Sequence, residues 1–340
     1  MDVILDCIFD QVFSRLDRGC LLARYKRRQF TDYLSTVIRG SAGDDTEGGC
    51  ERAVQAALRF HQTSKEENGG ICLLGKYHNV LYVAATLCYD WQLQDTPTVS
   101  RLLQDIFACE HTFERLFVGA ILGTKVTHLI SGWKSDFRTR EECVLAVQYF
   151  LEHATRANLQ FECTAGSRNF VDVPMESYGR ATPLRVAAQA GQADVLQILL
   201  HYGATVTPQP SSIDTCALQP LLHRMNDLCH DQPEENIAKE YINCMNLLLR
   251  ELPMLPTLLP YPEDDLPTDP TAPVEPRSLH PRIYALVPPQ RSGYFTAPCL
   301  RHMCRCVVRQ QLRASGLIPQ GISMLMLPDT VIHYLNHEEE

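Results

Sequence analysis

Apolar residues recur along most of this chain at three- and four-residue steps, the spacing of helices that each bury one side. In the first 65 residues Ile4, Ile8, Val12, Phe13 and Leu16 form one such stripe, and Tyr33, Leu34, Val37 and Ile38 continue it later. The Gly- and Asp-rich run over 40–49 interrupts the pattern and predicts a flexible break. Toward the carboxyl end Leu300, Met303, Cys304, Val307, Val308 and Leu312 fall on one side of a predicted helix, with charged and amide side chains opposite. A short break leads to Leu325, Leu327 and Pro328, then Tyr334 and Leu335. A stripe so placed has little of its own domain left to cover it, so it needs a groove in the same fold or in a partner.

Between residues 70 and 252 the helical pattern repeats loosely, and its clearest unit spans 179–207. There Thr182 and Pro183 start a helix, the small Ala187 and Ala188 allow close helix approach, and Gly191 turns the chain. Leu196, Leu199 and Leu200 pack a second helix, which Gly203 ends. This order, anchored on Leu184, resembles an ankyrin repeat. One such unit cannot bury its own face, so companions are expected. Aligned on Leu184, the anchors are Leu81, Leu116 and Leu221, separated by 35, 68 and 37 residues along the chain. The long middle gap fits either two units or one enlarged unit. Arg185 stands where ankyrin repeats usually carry His, and the preceding Asp-Gly hairpin is missing. Unrelated amphipathic hairpins are the competing reading of the weaker units.

From 253 to 290 lie about half of the 21 prolines, which forbids long helices and reads as a connector. It is either a disordered tether or an extended segment laid on the last repeat.

Composition narrows the function classes. With 340 residues, 45% of them hydrophobic, a sizeable core is available, and a formal charge of -9 argues against a general nucleic-acid binder. No run approaches the roughly 18 apolar residues of a bilayer span, and the start Met1-Asp2-Val3-Ile4 lacks the basic opening of a secretory signal. The 14 cysteines are scattered through helix-like stretches, as reduced thiols are, so the expected location is the cytoplasm, with the nucleus open. The cluster Arg24-Tyr25-Lys26-Arg27-Arg28 reads as a nuclear-import patch or, more simply, a solvated helix face. Cys299, His302, Cys304 and Cys306 are close in sequence, but a helix points them to different sides and no matching pair elsewhere has zinc spacing. No metal site, cofactor or catalytic motif is expected, and the chain reads as a non-enzyme.

With an ankyrin-like unit upstream, the segment Cys299-Leu300-Arg301-His302-Met303-Cys304-Arg305-Cys306-Val307-Val308-Arg309 resembles the first half of a SOCS box. The pair of features is similar to the ankyrin repeat and SOCS box family of ubiquitin-ligase substrate receptors. The resemblance implies an all-α fold: a helical region over 1–65, an irregular ankyrin solenoid over 70–252, the connector, and a SOCS-box helical hairpin over 291–340. It implies that Leu300 enters a pocket on elongin C, extended by Met303, Cys304, Val307, Val308 and Leu312, with elongin B alongside. Leu325, Leu327, Pro328, Tyr334 and Leu335 would then engage a cullin, cullin-5 by resemblance, with its RING protein. Met326 occupies the place of that element's usual first Pro. A target protein would bind the repeats. Arg301, Arg305, Arg309 and Arg313 sit at four-residue steps beside the stripe and read as a solvated face unless carboxylates answer them. The competing reading is an ankyrin scaffold whose terminal hairpin only caps the stack.

Overall fold

A computed structural model describes residues 2–13, 21–41, 46–73, 77–124, 135–164, 166–207, 216–231, 237–253, 280–286 and 298–338. The chain divides into two compact units, Met1–Pro183 and Leu184–Glu340. Helices dominate both, as the periodicity predicts, and no described helix is long and apolar enough to cross a membrane. No disulfide occurs among the described cysteines.

The first unit holds α1 (Asp2–Phe13), α2 (Leu21–Ser41), α3 (Thr46–Glu67), α4 (Asn79–Asp90), α5 (Thr96–Glu110), α6 (Glu114–Leu122) and α7 (Arg140–Arg156). Local signals set several of these starts. Asp95 accepts from the Thr98 amide ahead of α5, with Pro97 just inside, and Thr139 and Glu142 close a capping box on α7. In α1 the buried positions are Leu5, Phe9 and Phe13, while Ile8 and Val12 lie at the margin of the core and Leu16 falls outside the described residues. Of the predicted stripe Phe13 is buried, but Phe9 takes the interior in place of Ile8 and Val12, because large rings claim it: Phe30 meets Phe9 and Phe13 with centroids 5.6 and 5.5 Å apart. The break predicted over 40–49 is narrower, since α2 runs to Ser41 and α3 starts at Thr46.

The anchors Leu81, Leu116, Leu184 and Leu221 are all buried, and each lies in the first helix of a successive pair. The pairs are α4 with α5, α6 with α7, and, in the second unit, α8 (Pro183–Gln189) with α9 (Ala193–His201) and α10 (Leu218–Asp231) with α11 (Lys239–Glu251). Among the described residues the long gap after Leu116 holds α7 and a two-stranded hairpin rather than a further helix pair. In that hairpin β1 (Gln160–Cys163) runs antiparallel to β2 (Gly166–Asn169), an element the helical reading missed. Phe161 on β1 packs 4.9 Å from both Phe107 and Phe113, so an aromatic anchor holds the strand pair in place.

In the 179–207 unit, Ala187, Ala188, Leu199 and Leu200 are buried, and Pro183 opens α8 after the half-buried Thr182. Gly191 takes φ +67° between the two helices, and Gly203 takes φ +85° after the second. The second unit continues with α12 (Pro281–Leu286), α13 (Leu300–Ala314), α14 (Gln320–Ser323) and α15 (Asp329–Leu335). Of the Pro-rich connector over 253–290, the described residues are Pro253 and 280–286, which carry α12; the remainder lies outside the described residues.

The basic cluster is not a uniformly solvated face. Arg27 is buried, and its guanidinium donates to Asp136 at 2.8 Å and to Asn79 Oδ1 at 2.8 Å, while Arg28 donates to the Asp136 carbonyl at 2.6 Å. A buried arginine left without its carboxylate is costly. Asp136→Ala is therefore expected to lower the unfolding free energy by about 3–5 kcal/mol, read as a shift of the urea midpoint at unchanged m-value.

Candidate functional site

The carboxyl-terminal helix α13 is packed with its polar side inward. His302, Arg305, Cys306 and Arg309 are its buried residues, and Arg309 is 0% exposed. Such burial demands a full set of acceptors. Arg309 has them: its Nε meets Glu251 Oε1, Nη1 donates to the Leu335 carbonyl at 2.7 Å, and Nη2 donates to the Leu200 carbonyl at 2.6 Å. Both carbonyls belong to the last turns of helices, α15 and α9, where carbonyls lack intrahelical donors and a cation suits the negative helix end. One turn on, Arg313 donates to the Gly203 carbonyl at 2.8 Å and to Glu251 Oε2 at 3.0 Å. Gly203 is required there twice over. Its backbone is left-handed, and a Cβ would stand 2.5 Å from Ile318 Cγ2.

Glu251, at the end of α11, is the hub. Burial alone would raise its pKa, but the charge of Arg309, a hydrogen bond from His337 and the charge of Arg313 hold it well below the usual carboxylate range. His337 Nε2–H donates to Glu251 Oε1 at 2.7 Å. Burial depresses the imidazole to about 4 despite that contact, so it is neutral at physiological pH. Toward the start of α13, His302 donates to the Leu252 carbonyl at 2.8 Å and accepts from Arg305 at 3.1 Å. Arg301 and Arg305 lie 4.0 and 4.3 Å from the Tyr334 ring centroid. The expectation of a solvated arginine face is thus corrected: Arg305, Arg309 and Arg313 have partners, and a carboxylate answers two of them.

With its polar side occupied, α13 turns apolar residues outward. Leu300 is 79% exposed and Val307 is 51% exposed, and Cys304 between them is exposed as well, with Met303 half-buried. The predicted single stripe splits, because Val308 and Leu312 pack instead on a cluster formed by Ile318, Ile322 and Leu335. Leu325, Leu327 and Pro328 are exposed, whereas Tyr334 is half-covered and Leu335 is buried. Met326 is 96% exposed with φ +48°, a backbone that proline, fixed near -65°, cannot adopt. The four residues Cys299, His302, Cys304 and Cys306 divide between the two sides: Cys299 and Cys304 are exposed, His302 and Cys306 buried.

Glu251 and His337 escaped the sequence reading, lying 58 residues before Arg309 and 86 residues after Glu251 respectively. The available signal was the arginine spacing, since like charges at four-residue steps repel unless something opposite faces them.

Residues 296–336 match the SOCS box family. The chain is 30% identical over 160 residues to Ankyrin repeat and SOCS box protein 17 of Mus musculus, and 29% identical over 163 residues to the Homo sapiens protein of that name. In both comparisons the match covers 46% of this chain and 50% of the relative, so the chain spans about half the length of the curated relatives it matches. No solved structure matches it. The carboxyl-terminal segment is thus a SOCS box in sequence, and the resemblance to ankyrin repeat and SOCS box proteins extends beyond it.

The network makes stability pH-dependent with a defined sign. His337 titrates near 4 when folded against 6.5 in its ordinary state, so within that window the unfolded chain holds the extra proton. Its stabilising contribution is complete above that ordinary value and is lost as pH falls toward the folded one. Glu251, with its pKa depressed, keeps its contribution until pH falls below the ordinary carboxylate value. Denaturant unfolding at pH 7 and pH 5 is expected to show the native chain losing on the order of 2 kcal/mol more than His337→Gln, while Glu251→Ala costs about 3–5 kcal/mol at pH 7.

Proposed function

We propose that this protein is the substrate-recognition adaptor of an elongin B/C–cullin–RING ubiquitin ligase. The observation that carries the reading is the outward apolar ridge Leu300–Cys304–Val307 on a helix that buries Arg305 and Arg309 on its opposite side. Burying a Leu or Val side chain is worth about 1.5–3 kcal/mol, so a fold that spends its interior on guanidinium groups leaves that stabilisation for a partner. Leu300 is the pocket-filling anchor for elongin C, with Met303, Cys304 and Val307 extending the contact. Val308 and Leu312 act from behind, by holding the helix on its hairpin. The exposed Leu325, Leu327 and Pro328 form the cullin-facing element, with Tyr334 and Leu335 as its internal support.

The ligase role needs no nucleophile from this chain. Holding a target beside a charged ubiquitin-conjugating enzyme raises the effective concentration of the target's lysines. The target surface is assigned to the repeat region over 70–252, and the partners are proteins rather than nucleic acid or membrane.

A second reading, in which the hairpin only caps the repeats, has support in the way Arg309 and Arg313 close the carboxyl end of α9. That function uses the polar side of α13 and leaves the apolar ridge unemployed, so it accompanies the adaptor role rather than replacing it.

Leu300→Asp and Cys304→Asp alter exposed positions, so the fold, followed by circular dichroism and thermal melting, is expected to stay unchanged. Affinity for purified elongin B/C heterodimer, measured by calorimetry, is expected to fall roughly 30-fold or more for each, as for a central anchor. Native-like binding by both variants, or no binding by the unaltered chain, would leave the cap as the hairpin's sole role.

A further inference from the structure

In the first unit four metal-ligating side chains converge, two from the helices α3 and α5 and two from between α3 and α4. His61 lies on α3, Cys72 on the segment that follows it, His78 immediately before α4, and Cys109 near the end of α5. His61 Nε2 is 3.3 Å from Cys72 Sγ and 3.6 Å from Cys109 Sγ, and Cys72 Sγ is 3.4 Å from His78 Nδ1. All four ligand atoms lie within 4.8 Å of one another.

These separations have a specific geometric meaning. Zinc bonds of about 2.3 Å to sulfur and 2.0–2.1 Å to nitrogen, set at tetrahedral angles, place neighbouring ligand atoms about 3.3–3.8 Å apart. Both histidines are buried and both cysteines half-buried. The surroundings also suit a cation. His78 turns Nδ1 to the cluster and donates from Nε2 to Glu110 Oε1 at 2.6 Å, the carboxylate–imidazole arrangement that fixes a ligating tautomer. Glu110 is itself held by the Tyr82 hydroxyl at 2.9 Å and by Arg115 at 3.1 Å. Two thiolates would neutralise one divalent ion, and Arg115 balances Glu110, so the filled site leaves no net buried charge.

We propose that His61, Cys72, His78 and Cys109 form a structural zinc site that ties α3, the following loop, α4 and α5 together. With four protein ligands the coordination is closed, which suits a structural ion rather than a catalytic one. Binding displaces the two thiol protons and forms two Zn–S and two Zn–N bonds with no change of oxidation state. The sequence concealed the set because its members stand 11 and 6 residues apart, and then 48 from first to last, unlike paired zinc motifs. The expectation that no metal site exists rested on the helical geometry of Cys299, His302, Cys304 and Cys306 and on the lack of a matching pair with zinc spacing elsewhere. The site is independent of the carboxyl-terminal hairpin and of the adaptor role.

The test uses the full chain, purified from zinc-replete expression without chelator. Elemental analysis is expected to find about one zinc per chain, falling below about 0.1 in the Cys72→Ser/Cys109→Ser variant. X-ray absorption at the zinc edge of the unaltered protein is expected to show two sulfur and two nitrogen neighbours, a readout that does not depend on the variant folding. Cobalt substituted into the unaltered chain is expected to give the intense visible bands of tetrahedral thiolate coordination. A well-folded native chain with substoichiometric zinc, stoichiometric copper in its place, or a zinc edge lacking sulfur would each overturn the proposal.

Discussion

The carboxyl-terminal region depends on one constraint, the need to satisfy a guanidinium that has no access to water. Arg309 is buried among Glu251 and the terminal carbonyls of two helices. Every donor it directs inward fixes the rotation of α13 about its own axis. A helix rotated to bury Leu300 and Val307 would carry Arg309 into solvent and strand Glu251 without its counter-charge. Leaving a buried carboxylate unpaired costs more than two apolar side chains return. The exposed ridge is therefore an energetic consequence of the buried network.

The same network explains why α13 is so tightly joined to the elements around it. The end of α9 with Leu200 and Gly203, the end of α11 with Glu251, and the end of α15 with Leu335 are separate parts of the second unit, and Arg309 and Arg313 reach all three. Contacts of this length in sequence are non-local, so they form once α9 and α11 are in place. Rigid presentation follows: an exposed ridge whose orientation is fixed beforehand would lose less side-chain and helix entropy in the proposed docking.

Much of the helical layout was legible because amphipathic periodicity is local. Aligning the chain on Leu184 picked out Leu81, Leu116 and Leu221, each buried in the first helix of a pair, and glycine placement marked the turns at Gly191 and Gly203. The failures share a cause in tertiary competition. Phe9, which the predicted stripe omitted, took the core position in place of Ile8 and Val12 because it packs with Phe13, Phe30 and Phe60. The strands around Phe161 were missed because each is only four residues long and is held by aromatic contacts from distant helices. At the carboxyl end residue spacing predicted the helix α13 but not the inward direction of its arginines, since Glu251 carries no local mark of its role.

Charge placement links the two halves of the chain's chemistry. In both units a carboxylate is buried and organises a cation and an imidazole: Glu251 with Arg309, Arg313 and His337, all distant in sequence, and Glu110 with the nearby Arg115 and the distant His78. A buried carboxylate tolerates few alternative arrangements, because each missing donor costs several kcal/mol in a poorly solvated site. Such hubs therefore select one packing among the many that a degenerate helical repeat, rich in interchangeable Leu and Ala contacts, would otherwise allow. The apolar anchors bring helices together, and the polar hubs determine which way each of them faces.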